Sequence, residues 1–145
     1  MHATTGPSLR RTVVAFDGSD ASDRAVRFAL GPLRGPEGEV WIVHAKVAPL
    51  RVAEPRTEEQ QASEVDSIAE RLREVQRSTD PEGNHVHVWI REGPAARVIV
   101  AAAAEVNADL IVVGTRGLRG ASRLLLGSVS SEVVLRAGRP VTVVP

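Results

Sequence analysis

The sequence contains no cysteine and no tyrosine, one methionine and one lysine, Lys46. Without cysteine there can be no disulfide, no thiolate metal site and no thiol nucleophile, and nothing argues for an oxidising compartment, so the cytoplasm is the expected location. With its only lysine outside any glycine-rich run, the phosphate-loop pattern GxxxxGK[ST] is impossible. Aromatic residues make up only 3% of the 145, so the core must be built from Val, Ile, Leu and Ala, a composition suited to a parallel sheet flanked by helices of small residues. Net charge is lacking as well: 18 basic residues balance 18 acidic ones, which leaves no global field to draw nucleic acid or an anionic membrane. The longest apolar run, Val98 to Ala104, falls far short of the ~20 residues of a membrane-spanning helix, and the N-terminus lacks a signal-like apolar block. Length and an ordinary 43% hydrophobic content predict one domain, residues 11–145, preceded by a flexible tail, residues 1–10.

What is present is a regular alternation. Thr12 to Phe16 is a β-branched and aromatic run, followed by the turn Asp17-Gly18-Ser19 and a helical pattern through Ala21, Ala25, Phe28, Ala29 and Leu33 that Gly31-Pro32 begins to break. Glu39 to Ala45 supplies a second strand, and Val47 to Arg56, with Pro49 and Pro55, a loop. Thr57 and Gln60 have capping-box spacing, and Ala62, Val65, Ile68, Leu72 and Val75 then recur at helical intervals. After the turn residues Asp80 to Asn84, Val86, Val88 and Ile90 alternate with His87, Trp89 and Arg91, which predicts a strand near a sheet edge. Gly93-Pro94 opens an alanine-rich helix to about Val106, and Leu110 to Val113 reads as a buried central strand. A helix from Ser128 to Arg136 and a last strand, Val141 to Val144, complete five strands and four helices in strict alternation, hence a doubly wound α/β domain with helices on both faces of a parallel sheet.

The most informative segment follows the central strand. Gly114-Thr115-Arg116-Gly117-Leu118-Arg119-Gly120 runs on to Gly127-Ser128-Val129-Ser130, in the form G, two residues, G, nine residues, G-S. Glycines let backbone N–H groups approach an anion, a helix start at Gly127-Ser128 adds free N–H groups and the positive end of a dipole, and Arg116, Arg119 and Arg123 offer compensating charge. As single residues these glycines are ordinary turn and cap residues. As a set, between a buried strand and a helix N-terminus, they point to a nucleotide phosphate. The spelling GxxGxxG also differs from the dinucleotide fingerprint GxGxxG.

With this segment, Val13 to Ser19 and Val43-His44-Ala45, the chain resembles the universal stress protein family, in its ATP-binding kind, from Arg11 to Pro145. The resemblance implies a five-stranded parallel sheet of order 3-2-1-4-5 with ATP across the ends of the first and fourth strands, the place where the winding reverses. It implies that Asp17 contacts the adenosine, that Ala15 and Ala45 line the adenine slot, and that Gly114, Thr115, Gly117, Gly127, Ser128, Val129 and Ser130 hold ribose and phosphates, with Arg116 in the same motif. The nucleotide would serve as a signal in a stress response rather than as a fuel. Few carboxylates lie nearby, so Mg²⁺ would be carried mainly by the phosphates. The implied order leaves Val141 to Val144 at an uncharged, β-prone edge, so a homodimer through that strand is expected.

Other residues have plainer readings. Asp17 could cap the next helix, although Ser19 or Asp20 can do that instead. His44 reads as a buried structural histidine. His85 and His87 share a strand face but have no carboxylate or third histidine placed to complete a metal site. Trp41 and Trp89 read as packing, and Glu58, Glu59, Glu64, Glu70, Glu74, Arg71, Arg73 and Arg77 as the solvated face of the second helix. The glycine segment holds neither a nucleophile beside a base nor a carboxylate pair, and Asp17 and Glu132 are the acids closest to it. Binding without efficient turnover is therefore expected. The alternatives are slow ATP hydrolysis or autophosphorylation, and a dimeric scaffold with an empty site.

Overall fold

The β-branched runs form one sheet because their crossovers all return the chain in the same direction. A computed structural model describes residues 9–31, 33–46, 57–115 and 127–145. In chain order the described elements are β1 (Arg11–Ala15), α1 (Asp20–Leu30), β2 (Glu39–Lys46), α2 (Glu58–Thr79), β3 (Val86–Glu92), α3 (Ala95–Glu105), β4 (Leu110–Gly114), α4 (Ser128–Arg136) and β5 (Val141–Val144). The sheet has five strands in the order β3-β2-β1-β4-β5, and every pairing is parallel. Register is fixed by pairs such as Val13 with Trp41, Val13 with Ile111, Trp41 with His87, and Val113 with Val143.

Because side chains alternate across a strand, the sheet has two cores. On one face Val13, Trp41, Val43, Ile111 and Val113 pack under α3 and α4 through Ala102, Ala103 and Val133. On the other, Val14, Phe16, Ile42 and Val112 pack under α1 and α2 through Ala25, Ala29, Ile68 and Leu72. The alanines of α1 and α3 let the helices lie close to the sheet, in keeping with the shortage of aromatic residues. Trp41 is buried and Trp89 packs beside it, as their place in strand patterns predicts.

Helix starts follow the side-chain chemistry. Ser19 caps α1 by accepting from the N–H of Ser22, and Thr57 with Gln60 forms the expected capping box of α2. Two details differ from the sequence pattern. Helix α1 ends at Leu30, so Leu33 lies beyond it and packs against the core from the connecting segment. In α2 the periodic apolar positions near the start are not covered: Ala62 is exposed and Val65 half-buried, whereas Ile68 and Leu72 are buried. The predicted loop over residues 47–56 lies outside the described residues. At the other end of the chain, the N–H groups of Arg10 and Arg11 both donate to Asp109 Oδ2 at 2.9 Å, and Leu9 packs against the core under α1.

Asp80, only 7% exposed, ends α2 and orders the turn into β3. Its Oδ2 accepts from the N–H groups of His85 at 2.6 Å and Val86 at 2.8 Å. The His85 N–H above all, with those of Val86 and Asn84, holds the carboxyl below its ordinary value of 3.8, against the opposing effect of burial. A carboxyl made more acidic by folding stabilises fully above its unfolded value and loses that contribution as pH falls through the folded one. Asp80→Asn should therefore lower the urea midpoint at pH 7, and the difference from the unmodified protein should shrink as pH falls below about 4. A pH-independent difference would assign the effect to something other than the charge.

Candidate functional site

In a parallel sheet all carboxyl ends lie on one side, and β1 has β2 on one flank and β4 on the other, so the winding reverses between β1 and β4. Ala15 at the end of β1, Ala45 near the end of β2 and Gly114 at the end of β4 thus share one rim of the sheet. Ala15, Ala45 and Val129 of α4 are partly buried against the same core, the one under α3 and α4. Beside Ala45 in the register stands Arg91. Its guanidinium lies 3.9 Å from the centre of the Trp89 ring and is bonded to both carboxylate oxygens of Glu105. That pairing raises the arginine's pKa and lowers the glutamate's.

The turn after β1 carries Asp17. Phe16 N–H donates to Val43 O at 2.9 Å, and His44 Nδ1 donates to Phe16 O at 2.8 Å, so His44 is a buried structural residue that ties β2 to β1. Asp17 itself is exposed, and its Oδ1 accepts from Ser19 N–H at 2.9 Å. The N-cap of α1 is Ser19, which leaves Asp17 to shape the turn rather than to cap the helix. Gly18, with φ +84°, takes the left-handed conformation that the turn requires.

The glycine at the end of β4 has a packing reason of its own. A Cβ at Gly114 would stand 2.6 Å from the carbonyl carbon of Ala21 and 2.7 Å from its oxygen, so a side chain there would drive α1 off the sheet. Thr115 N–H donates to Val144 O at 2.8 Å, and its hydroxyl reaches the same oxygen at 3.4 Å. Gly127 is the N-cap of α4, and among the described residues no side chain caps the first-turn N–H groups. Ser130, 2% exposed, donates its hydroxyl to Gly127 O at 2.9 Å. Arg116, Gly117, Gly120, Arg119 and Arg123 lie outside the described residues.

An open cleft of about 710 Å³ borders the same turn, lined by Asp17, Gly18, Thr57, Gln60, Ser67 and Arg71 among others. It lies toward α2, whereas Ala15, Ala45 and Val129 sit against the α3 and α4 side; of the predicted site residues among the described ones, only Asp17 lines it.

At two residues the structure departs from the sequence reading. A carboxylate does stand at His87: Glu39 of the neighbouring strand is 3.0 Å from its Nε2, while the imidazole stacks on Trp41 with centroids 4.7 Å apart. Register brought them together, and register is not visible in one strand's spacing. Even so, no group of three metal-ligating side chains occurs among the described residues. Arg71 is not simply part of a solvated face. Its Nη2 bonds Asp23 at 2.8 and 3.0 Å and its Nη1 bonds Gly18 O at 3.3 Å. No sequence signal singled it out from Arg73 and Arg77. No described helix is long and apolar enough to cross a membrane.

With this geometry in hand, the chain can be compared with known proteins. A universal stress protein of Methanocaldococcus jannaschii is 33% identical over 138 residues, covering 93% of this chain and 81% of the relative. A universal stress protein solved in complex with cAMP matches with a TM-score of 0.71 and 29% identity, over 95% of this chain and 98% of its own. One from Archaeoglobus fulgidus in complex with dAMP matches with a TM-score of 0.66 and 27% identity, over 95% and 99%. The pattern of the universal stress protein family covers residues 8–145, and the chain belongs to that family.

Proposed function

We propose that this chain is a nucleotide-dependent signalling module of the stress response, which holds ATP across the ends of β1 and β4 and acts as a cytoplasmic homodimer. The observation that supports the reading is the strand order, which sets Ala15, Ala45 and Gly114 on the carboxyl rim of the sheet, with Asp17 in the turn after β1 and Thr115 directly after β4. The chain's own Gly127-Ser128-Val129-Ser130 then starts α4 without a side-chain cap among the described residues. Support comes from the relatives solved with cAMP and with dAMP, both of which carry adenine. In this reading Ala15 and Ala45 wall the adenine, Asp17 contacts the adenosine, and Gly114, Thr115, Gly127, Ser128, Val129 and Ser130, with Arg116 and Gly117 of the motif, hold ribose and phosphates.

Binding rather than turnover is favoured by how the nearby acids are engaged. Asp17 accepts from Ser19 N–H, and Glu132 pairs with Arg136 at 3.2 Å. Mg²⁺ would accordingly ride mainly on the phosphates. Protein purified without added nucleotide, then denatured and analysed by chromatography, should release an adenine nucleotide. Protein that carries none, and takes up none when ATP is supplied, would contradict the proposal. Hydrolysis at ~1 per second or faster would make the chain an enzyme instead.

A further inference from the structure

Helix α2 is attached to the rest of the molecule at two places of different kinds. Its C-terminal half packs on the edge strand, with Leu72 buried and Gln76 Nε2 donating to Val86 O at 2.6 Å. Its middle reaches across to the β1–α1 turn through Ile68 and Arg71, three residues apart and so on one side of the helix. Arg71 makes three contacts there at once. Its Nη2 meets both oxygens of Asp23 in α1, its Nη1 donates to the carbonyl of Gly18, and its guanidinium lies over the buried Phe16 ring, 5.2 Å from the centroid.

These contacts bracket Asp17 in sequence and in space. Phe16 precedes it and Gly18 follows it, and Gly18 holds a φ of +84° with its α-carbon facing Arg71 and Ile68. From the other side, His44 fixes the Phe16 carbonyl. We infer that Arg71 is a positioning residue for nucleotide binding: by clamping the Phe16–Gly18 turn and Asp23 together, it fixes the direction in which Asp17 is presented at the switch point. The ligand half of this inference rests on the proposed function; the clamp itself does not. The residue type matters, because a guanidinium carries separate donor nitrogens on one rigid plane: Nη2 meets the carboxylate while Nη1 serves the Gly18 carbonyl and the group stands over the Phe16 ring, a spread that one ammonium nitrogen cannot cover. A lysine would keep the charge and lose the geometry. The side chains of Arg71 and Asp23 are 47% and 32% exposed, so the pair adds little to global stability and its effect is local.

The test uses Arg71→Met, Arg71→Lys and, as control, Arg73→Met, which removes an equal charge from a residue whose partner, Glu70, is on the same helix. Two quantities are read: exchange of the Ser19 and Ser22 amides, which donate to Asp17 Oδ1 and Ser19 Oγ, and ATP affinity by calorimetry. Both Arg71 variants should exchange these amides about tenfold faster and bind ATP roughly tenfold more weakly, with Arg73→Met unchanged. Recovery of affinity by Arg71→Lys would show that charge alone is used and would overturn the inference. So would unaltered exchange in Arg71→Met, or altered exchange with unaltered affinity. An unmodified protein that binds no ATP, while Arg71→Met still loosens the turn, would overturn the functional reading and leave the clamp in place.

Discussion

Gly127→Val is expected to weaken ATP binding by about a hundredfold or more, measured by calorimetry, while the thermal unfolding transition stays close to that of the unmodified protein. The expectation rests on the backbone at this position. Gly127 has φ −59° and ψ 159°, a conformation open to any residue, so glycine is not required there by the chain's own geometry. What a glycine supplies at an N-cap is access: an anion can approach the first-turn N–H groups of α4 with nothing in the way. A β-branched side chain blocks that approach and adds only a modest N-cap penalty to the helix. Gly114 makes the useful contrast, since there a Cβ collides with the α1 backbone, and a loss of binding would be entangled with a loss of fold. Normal ATP affinity in Gly127→Val would remove the α4 N-terminus from the site.

The second large effect is on assembly. In β5, Pro140 O accepts from Ile111 N–H and Val144 O from Thr115 N–H. Backbone groups alternate in direction along a strand, so Val141 and Val143 turn their N–H and C=O groups outward from the sheet edge. Edge position is set by the strand order, and an uncharged, valine-rich strand with outward-facing backbone groups is suited to a second copy across a two-fold axis. Val143→Pro removes an outward donor and leaves the β4 ladder intact, a substitution that edge strands tolerate. Two donors are lost per dimer, and the proline ring intrudes between the chains. The dimer dissociation constant should rise about a hundredfold or more, seen by sedimentation as monomer at concentrations where the unmodified protein is dimeric. An unmodified protein that is monomeric at high concentration, or a Val143→Pro variant that remains fully dimeric, would refute assembly through this edge.

The elements were legible in the sequence because each carries its own punctuation. The Thr57–Gln60 capping box, the Gly31 stop, Pro94 before α3 and the β-branched runs of β4 and β5 all act locally, and local signals need no knowledge of neighbours. What depends on neighbours was not legible. The apolar period of α2 includes Ala62 and Val65, but the first is exposed and the second half-buried, so periodicity alone overstated the buried face. Glu39 could not be assigned to His87 without the register of β2 on β3, nor Arg71 to Gly18 and Asp23 without the packing of α2 across the turn. The site was partly legible for the same reason. The turn at Asp17 and the start of α4 at Ser128 were marked by residue type. The reason for glycine at 114, a helix backbone within touching distance, exists only in three dimensions.

Calorimetric titration of the nucleotide-free protein with ATP and with GTP, under identical conditions, tests the central claim most directly. A slot walled by Ala15 and Ala45 at the switch point should take adenine in preference, giving ATP a dissociation constant on the order of micromolar and GTP one at least about tenfold weaker. Equal binding of the two nucleotides would contradict the adenine slot, and binding of neither would contradict the site.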